Sequence, residues 1–274
     1  MTNAQPATPE GFPRTVAVIG LGLIGGSLAL RFRAAGARVL GTDVDPEATA
    51  LARRRGAIDD GGDDLSIAGT ADLVIVATPL EQIVRVGLAV ARHMRTGAIL
   101  TDVGSVKAPI VSAITASLRA GVSFVGGHPM AGTEGSGMQK ADDALLEGRP
   151  FLLTPTARTA PDAVDALQEG VRRIGMRPVV LDPVQHDELV AQVSHLPYLL
   201  SLALQRATAD DARSIAGPGF EDMTRVARSP GAMWAAICRD NRDAIVRALT
   251  RFERELSRMR TGLEAGAIHE VLTR

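Results

Sequence analysis

Gly20-Leu21-Gly22-Leu23-Ile24-Gly25 is a G-x-G-x-x-G run, and Gly26 and Ser27 follow it. The apolar stretch TVAVI at 15–19 stands before it, and a helical pattern over 27–35 follows and closes at Gly36. A strand that turns through spaced glycines into a helix is the opening of a dinucleotide-binding βαβ unit. Each glycine has a reason: the first permits the tight turn, the second lets backbone approach a pyrophosphate, and the third lets helix and strand pack closely. Amide N–H groups at the start of the helix then face the phosphates. A second strand is expected over 38–42, ending at Asp43, 23 residues after Gly20. A carboxylate there accepts hydrogen bonds from a ribose 2′-OH and repels a 2′-phosphate, which favours NAD over NADP. A glycine turn that binds nothing, with Asp43 as a turn former, is the plainer alternative. Methyltransferases also use such loops, so the motif alone does not settle the chemistry.

The rest of the chain keeps the alternation going. Buried-strand runs are expected at 73–77, 98–103, 123–126, 151–153 and 178–181, with helices over 46–55, 81–94, 108–120 and 162–174. That order implies an α/β fold with a mostly parallel sheet and helices on both faces. After residue 182 no strand-like run appears. Helical patterns occupy 185–209, 221–229 and 233–256, with a Gly/Pro break at 217–219 and a short helix at the end. The expected organisation is a disordered tail over 1–10, a dinucleotide-binding domain over 11–182, and an all-helical substrate and dimerisation domain over 183–274. An apolar, all-helical segment of this kind packs on the sheet domain or on a second copy of itself.

Composition narrows the classes. Hydrophobic residues are 46% of 274, enough for a sizeable core, and the net charge of −1 gives no reason to expect nucleic acid or an anionic membrane. Eight aromatic residues (one Trp, one Tyr, six Phe) are too few for base-stacking platforms. The single cysteine, Cys238, excludes an internal disulfide and reads as a small, buried apolar residue. No stretch has metal-ligand spacing. The start of the chain lacks the basic and apolar pattern of a signal peptide, and no uncharged run reaches membrane-spanning length, so a cytoplasmic location is the default expectation.

Ligands of open α/β sheets sit at the carboxyl ends of the strands, so the loops there are where chemistry is sought. Thr78-Pro79 follows the strand at 73–77 and can line a nicotinamide, or simply stop the strand and start a helix. Ser105 follows the strand at 98–103 and can cap the next helix. Gly126 to Gly137 is dense in Gly and Pro and reads as a loop, with His128 at a strand end. A histidine in that place can exchange a proton near neutral pH. His186-Asp187 reads as a helix start, and Met233 and Trp234 as core.

The runs TDVGSVK (101–107), GGHPMAGTEGSG (126–137), SHLP (194–197), GFEDMTRVARS (219–229) and MW (233–234) resemble, in order and spacing, the prephenate dehydrogenase family. The likeness covers nearly the whole chain after the first dozen residues. It implies a Rossmann domain followed by a helical dimerisation domain, a homodimer, and NAD-dependent oxidative decarboxylation of prephenate to 4-hydroxyphenylpyruvate in tyrosine biosynthesis. By the same resemblance His128 takes the catalytic place, Ser105 that of its partner serine, and Arg225 that of the substrate-binding arginine. Thr133 and Glu134 match a loop that closes on substrate, and Asp222 a position near the site that the dimer partner can supply. His195 matches the first histidine of an SHLPH stretch, whose second histidine is here Tyr198. That departure opens the substrate's side chain to question, so arogenate, both dienes or an amino analogue stand beside prephenate. From the residues alone His195 is equally a buried structural histidine, and Arg225 an ion-paired helix residue. Other Rossmann enzymes with helical second domains, such as hydroxyacid dehydrogenases and imine reductases, leave the GGHPMAGTE loop unexplained. A non-catalytic NAD sensor remains the alternative of another class.

Overall fold

The computed structural model describes residues 12–62, 64–133 and 135–273. The tail expected over 1–10 lies outside the described residues, as does Glu134. The chain divides into two compact units, Met1–His186 and Asp187–Arg274.

In the first unit the strands are β1 (Thr15–Ile19), β2 (Arg38–Thr42), β3 (Asp60–Gly61), β4 (Leu73–Val76), β5 (Ile99–Asp102), β6 (Ser123–Pro129), β7 (Pro150–Thr154) and β8 (Arg177–Val180). They form one sheet in the order β3-β2-β1-β4-β5-β6-β7-β8. Helices α1 (Leu23–Ala34), α2 (Pro46–Arg54), α3 (Ile83–Ala91), α4 (Ala108–Ser117) and α5 (Pro161–Arg173) lie between the strands in the chain. Side chains of a strand alternate between faces, and β1 shows the consequence. Val16 and Val18 join one buried cluster with Leu28 and Phe32 of α1, while Ala17 and Ile19 join a second with Val74, Val76 and Ile83. With both faces covered, a strand must be apolar throughout, which is why TVAVI and LVIV read as continuous runs. Burying each valine, leucine or isoleucine of these runs stabilises the fold by roughly 1.5–3 kcal/mol.

Every pairing is parallel except β6 with β7. Parallel neighbours need a crossover, usually a helix. Between β6 and β7 the described residues hold only short 3-10 turns, Met138–Lys140 and Asp143–Leu146, so the chain returns antiparallel.

Two expectations for this unit need correction. The stretch beginning at Gly126 is not all loop: β6 runs on through Pro129, with Gly126, Gly127, His128 and Pro129 paired to Thr154, Leu153, Leu152 and Phe151. The glycines here answer crowding rather than a turn. A Cβ on Gly126 would lie 2.4 Å from Thr154 Oγ1, and one on Gly127 2.4 Å from the Asp102 carbonyl oxygen. Nor does Ser105 cap a helix, because α4 begins at Ala108 with Lys107 in the cap position.

The second unit is helical. The pattern expected over 185–209 is α6 (Pro183–Val190), which crosses the division between units, then a π-helical turn (Ala191–His195) and α7 (Leu196–Ala207). The widening lies beside Pro197, which has no N–H to return to the preceding turn. The break expected at 217–219 is a helix start: α8 (Asp210–Arg213) is followed by α9 (Pro218–Thr224), with Gly217 as cap and Pro218 in the first turn. The helix expected over 233–256 is two, α10 (Gly231–Asp240) and α11 (Arg242–Glu264), before α12 (Ile268–Leu272). Asn241 separates them because its side chain is used elsewhere: Nδ2 donates to the Asp187 carbonyl at 2.9 Å and lies 3.2 Å from His195 Nδ1. Among the described residues no helix is long and apolar enough to cross a membrane.

Candidate active site

The strand order reverses direction between β1 and β4, and that switch point opens a crevice at the carboxyl edge of the sheet. Gly20 lies there with φ +100, and a Cβ on it would sit 2.6 Å from the Ala77 carbonyl oxygen. A Cβ on Gly25 would be 2.0 Å from the Gly20 carbonyl oxygen, so α1 can approach the loop only without one. Gly22 differs, since a Cβ there would meet nothing within 4 Å. It is the cap residue of α1, has no side-chain hydrogen bond to the helix, and no acidic residue occupies the first turn. Gly22, Leu23 and Ile24 thus leave a helix N-terminus whose amides suit an anion.

Asp43 ends β2 against this loop. Its Oδ2 accepts from Leu21 N at 2.6 Å and its Oδ1 from Asp45 N at 2.9 Å. The carboxylate therefore braces the glycine loop from the end of β2. Thr78, after β4, places a buried Oγ1 that has no hydrogen-bond partner among the described residues, and Pro79 beside it is exposed. An open cradle over a helix start and an unsatisfied buried hydroxyl at the same switch point fit a dinucleotide.

The carboxyl ends of β5 and β6 are tied together by a buried ion pair. Lys107 and Asp102 are both fully buried, and Lys107 Nζ bonds Asp102 Oδ2. The same ammonium donates to the Gly127 carbonyl at 2.8 Å. Asp102 in turn accepts from Gly104 N at 2.9 Å and Gly127 N at 3.1 Å. The pair thus anchors the residue before Ser105 and the residue before His128. Burying two charges is tolerable only when their remaining hydrogen bonds are made, as they are here. The run TDVGSVK contained both residues, but nothing local announced that the lysine folds back under the strand.

His128 is 7% exposed, and its Nδ1 lies 2.9 Å from Nε2 of the fully buried His186. The ring centroids are 5.1 Å apart with planes tilted by 54°, an in-plane nitrogen–nitrogen contact rather than a stack. His186, which reads from sequence as part of a helix start, lies inside α6 instead. Helical spacing gave no warning that it reaches a strand 58 residues away. Ser105 is half-buried beyond β5, at the same carboxyl edge as His128. Thr133 is exposed, with its Oγ1 accepting from Gly135 N at 3.1 Å.

Arg225, Asp222, His195 and Tyr198 belong to the second unit. Arg225 and Asp222 are exposed. Tyr198 is buried and stacks on Trp234, with centroids 3.8 Å apart and planes within 5°. His195, fully buried, meets the edge of the same indole at 6.0 Å. Trp234 Nε1 is buried with no hydrogen-bond partner among the described residues. Met233, expected in the core, is 46% exposed, because its neighbour takes the inward position on α10. Cys238 is half-buried rather than fully buried, and burial raises its thiol pKa above the usual range.

Two family models match the chain: the prephenate dehydrogenase nucleotide-binding domain over residues 27–180 and the prephenate dehydrogenase dimerization domain over 182–273. The first match begins after the glycine loop, which rests on its own geometry. A prephenate dehydrogenase from Bacillus subtilis is 35% identical over 91% of this chain and 70% of its own length. A cyclohexadienyl dehydrogenase from Zymomonas mobilis is 31% identical over 90% of this chain and 88% of its own. Among solved structures, an Aquifex aeolicus prephenate dehydrogenase in complex with hydroxyphenyl propionate and NAD+ superposes with a TM-score of 0.85 at 30% identity. That match covers 94% of this chain and 93% of the other.

Proposed function

The chain belongs to the prephenate dehydrogenase family, and from that premise we propose that it oxidatively decarboxylates prephenate to 4-hydroxyphenylpyruvate with NAD. The observation that carries this reading is the placing of His128 on the sheet edge that also bears the glycine loop and Thr78. A group able to take a proton thereby shares one edge with a cradle shaped for a dinucleotide.

NAD, when bound, supplies the hydride acceptor. Gly20, Gly22, Leu23, Ile24 and Gly25 would hold its pyrophosphate, Asp43 the adenosine ribose, and Thr78 and Pro79 the nicotinamide end. The substrate is a cyclohexadiene with a hydroxyl on the carbon that gives up hydride. As its ring carboxylate leaves as carbon dioxide, the bonding pair stays in the ring, which becomes aromatic. The hydroxyl oxygen carries a proton both before and after. His128 has therefore to accept that proton as hydride departs and return it to the phenol oxygen. General-base help of this kind is worth roughly 10²–10⁴-fold. Ser105 would hold the hydroxyl and the imidazole in line.

Arg225 would grip a substrate carboxylate through a forked, charge-assisted contact that lysine cannot reproduce. Thr133 and Glu134 would close over the substrate, with His195, Asp222 and Tyr198 around its side chain. The second unit supports a homodimer: Leu256, Met259 and Leu263 of α11 are 54%, 42% and 53% exposed at helical spacing. Tyr198 in place of the family's second histidine favours keeping arogenate as a second substrate.

The test is NADH absorbance with prephenate or arogenate, each with NAD or NADP. Turnover with NAD and either diene supports the reading, and the preferred diene settles the role of Tyr198. Protein that binds NAD but oxidises neither would overturn it.

A further inference from the structure

We propose that His186 is a positioning residue that sets the tautomer of His128. The proposal rests on the reading of His128 as the group that takes the hydroxyl proton. His186 is held firmly for such a task. It is fully buried, and its helix is started by Asp182, whose Oδ1 accepts from Val184 N at 2.8 Å and Gln185 N at 3.2 Å. The His186 N–H itself donates to the Asp182 carbonyl at 2.8 Å. These bonds set where the imidazole stands relative to β6.

Proton counting does the rest. Each neutral imidazole carries one N–H and one bare nitrogen. Two ring nitrogens 2.9 Å apart share one proton between them, since two N–H groups facing each other repel and two lone pairs do the same. In one arrangement His186 Nε2–H donates to His128 Nδ1. His128 then carries its own proton on Nε2 and has no basic nitrogen left for substrate. In the other arrangement His128 Nδ1–H donates to His186 Nε2. His128 Nε2 is then the basic nitrogen, and His186 carries its proton on Nδ1. Only the second allows base chemistry, and it is the one we assign.

The assignment also accounts for the burial of the pair. When His128 takes the hydroxyl proton on Nε2 it becomes cationic, and its Nδ1–H bond to His186 becomes charge-assisted. Because the product oxygen needs that proton back, no exit route to solvent is required. A second histidine that accepts a hydrogen bond without passing a proton outward serves better than one in contact with water.

Nitrogen NMR of histidine-labelled protein reads the tautomer directly, and the chain has only five histidines to resolve. No substrate is needed, so the pairing is decided even where neither diene turns over and the reaction assignment has failed. The wild type should show His128 protonated on Nδ1 and bare on Nε2. His186→Leu should shift His128 toward the opposite tautomer and lower kcat by about 10²-fold, at the low end of what a positioned base supplies. KM for diene and for NAD should change little. His186→Gln, whose carboxamide oxygen reaches the place of Nε2, should keep the tautomer and recover most of kcat. A wild-type His128 protonated on Nε2 overturns the proposal. So does a folded His186→Leu protein with unchanged tautomer and kcat, and so does a Gln variant as impaired as Leu. Should the Leu variant not fold, the wild-type spectrum and the Gln variant decide.

Discussion

Lys107→Met isolates what the buried ion pair contributes. Methionine keeps nearly the length of the lysine stem, so the packing against Gly126, whose added Cβ would lie 3.3 Å from Lys107 Cδ, is largely preserved. What disappears is the ammonium that bonds Asp102 and the Gly127 carbonyl. Asp102 is left as a fully buried carboxylate with two backbone donors, Gly104 N and Gly127 N. Removing one partner of a buried pair costs about 3–5 kcal/mol, against about 0–1 kcal/mol for an exposed one. For a chain of this size roughly 2–4 °C of Tm accompanies each kcal/mol. The expected loss is therefore about 6–20 °C in a circular dichroism melt at fixed protein concentration. A shift under about 3 °C would show that the pair behaves like a surface one and would refute the argument.

A double change sharpens the test. Buried ion pairs replaced by apolar residues are often neutral or better. Here Lys107→Met with Asp102→Leu should not recover wild-type stability, because Gly104 N and Gly127 N would lose their acceptor at about 1–3 kcal/mol each. Full recovery would mean that those two bonds count for little. Turnover should fall in both variants, since the anchored glycines precede Ser105 and His128.

Asp43→Asn should weaken NAD binding roughly ten- to a hundredfold, the loss of charge-assisted bonds worth about 1.5–3 kcal/mol, and should narrow the preference over NADP; titration with each cofactor checks this, and an unchanged ratio would count against the ribose assignment. Gly25→Ala, whose Cβ would sit 2.0 Å from the Gly20 carbonyl, should abolish cofactor binding while the melt of the second unit is little changed. Tyr198→His should move kcat/KM toward prephenate relative to arogenate, because an imidazolium repels arogenate's ammonium group; a constant ratio in the two-diene assay would remove Tyr198 from side-chain recognition. Cys238 should alkylate more slowly than free cysteine at neutral pH and speed up as pH rises: burial raises its pKa, so the reactive thiolate forms only at higher pH. Mass spectrometry of timed iodoacetamide reactions reads this, and a rate equal to free cysteine would contradict it.

The parts of the fold legible in the sequence were those that local physics decides. The glycine loop, the apolar runs of β1 and β4 and the close of α1 at Gly36 each depend on neighbours within a few residues, and a sequence displays such neighbours directly. The first half of β6 is legible as an apolar run, but its continuation through Pro129 reads as a loop, because the same glycines that signal a turn also permit close approach. Only the positions of Thr154 and the Asp102 carbonyl, from other strands, distinguish the two. The split at Asn241 was hidden for a like reason, since the side chain's partners are Asp187 and His195, 54 and 46 residues away.

The candidate site divides along the same line. Motif order named His128, because the resemblance carries residue identities. It did not name His186, because tautomer control depends on which nitrogen faces which, and that is fixed by where α6 begins relative to β6. An imidazole at position 128 is basic toward a substrate only if its other nitrogen is committed. The residue that commits it need belong to no recognisable run. Function here therefore depends on a long-range contact as much as on the motif, and a chain that kept GGHPMAGTE but lost His186 should keep the family's appearance and lose most of its rate.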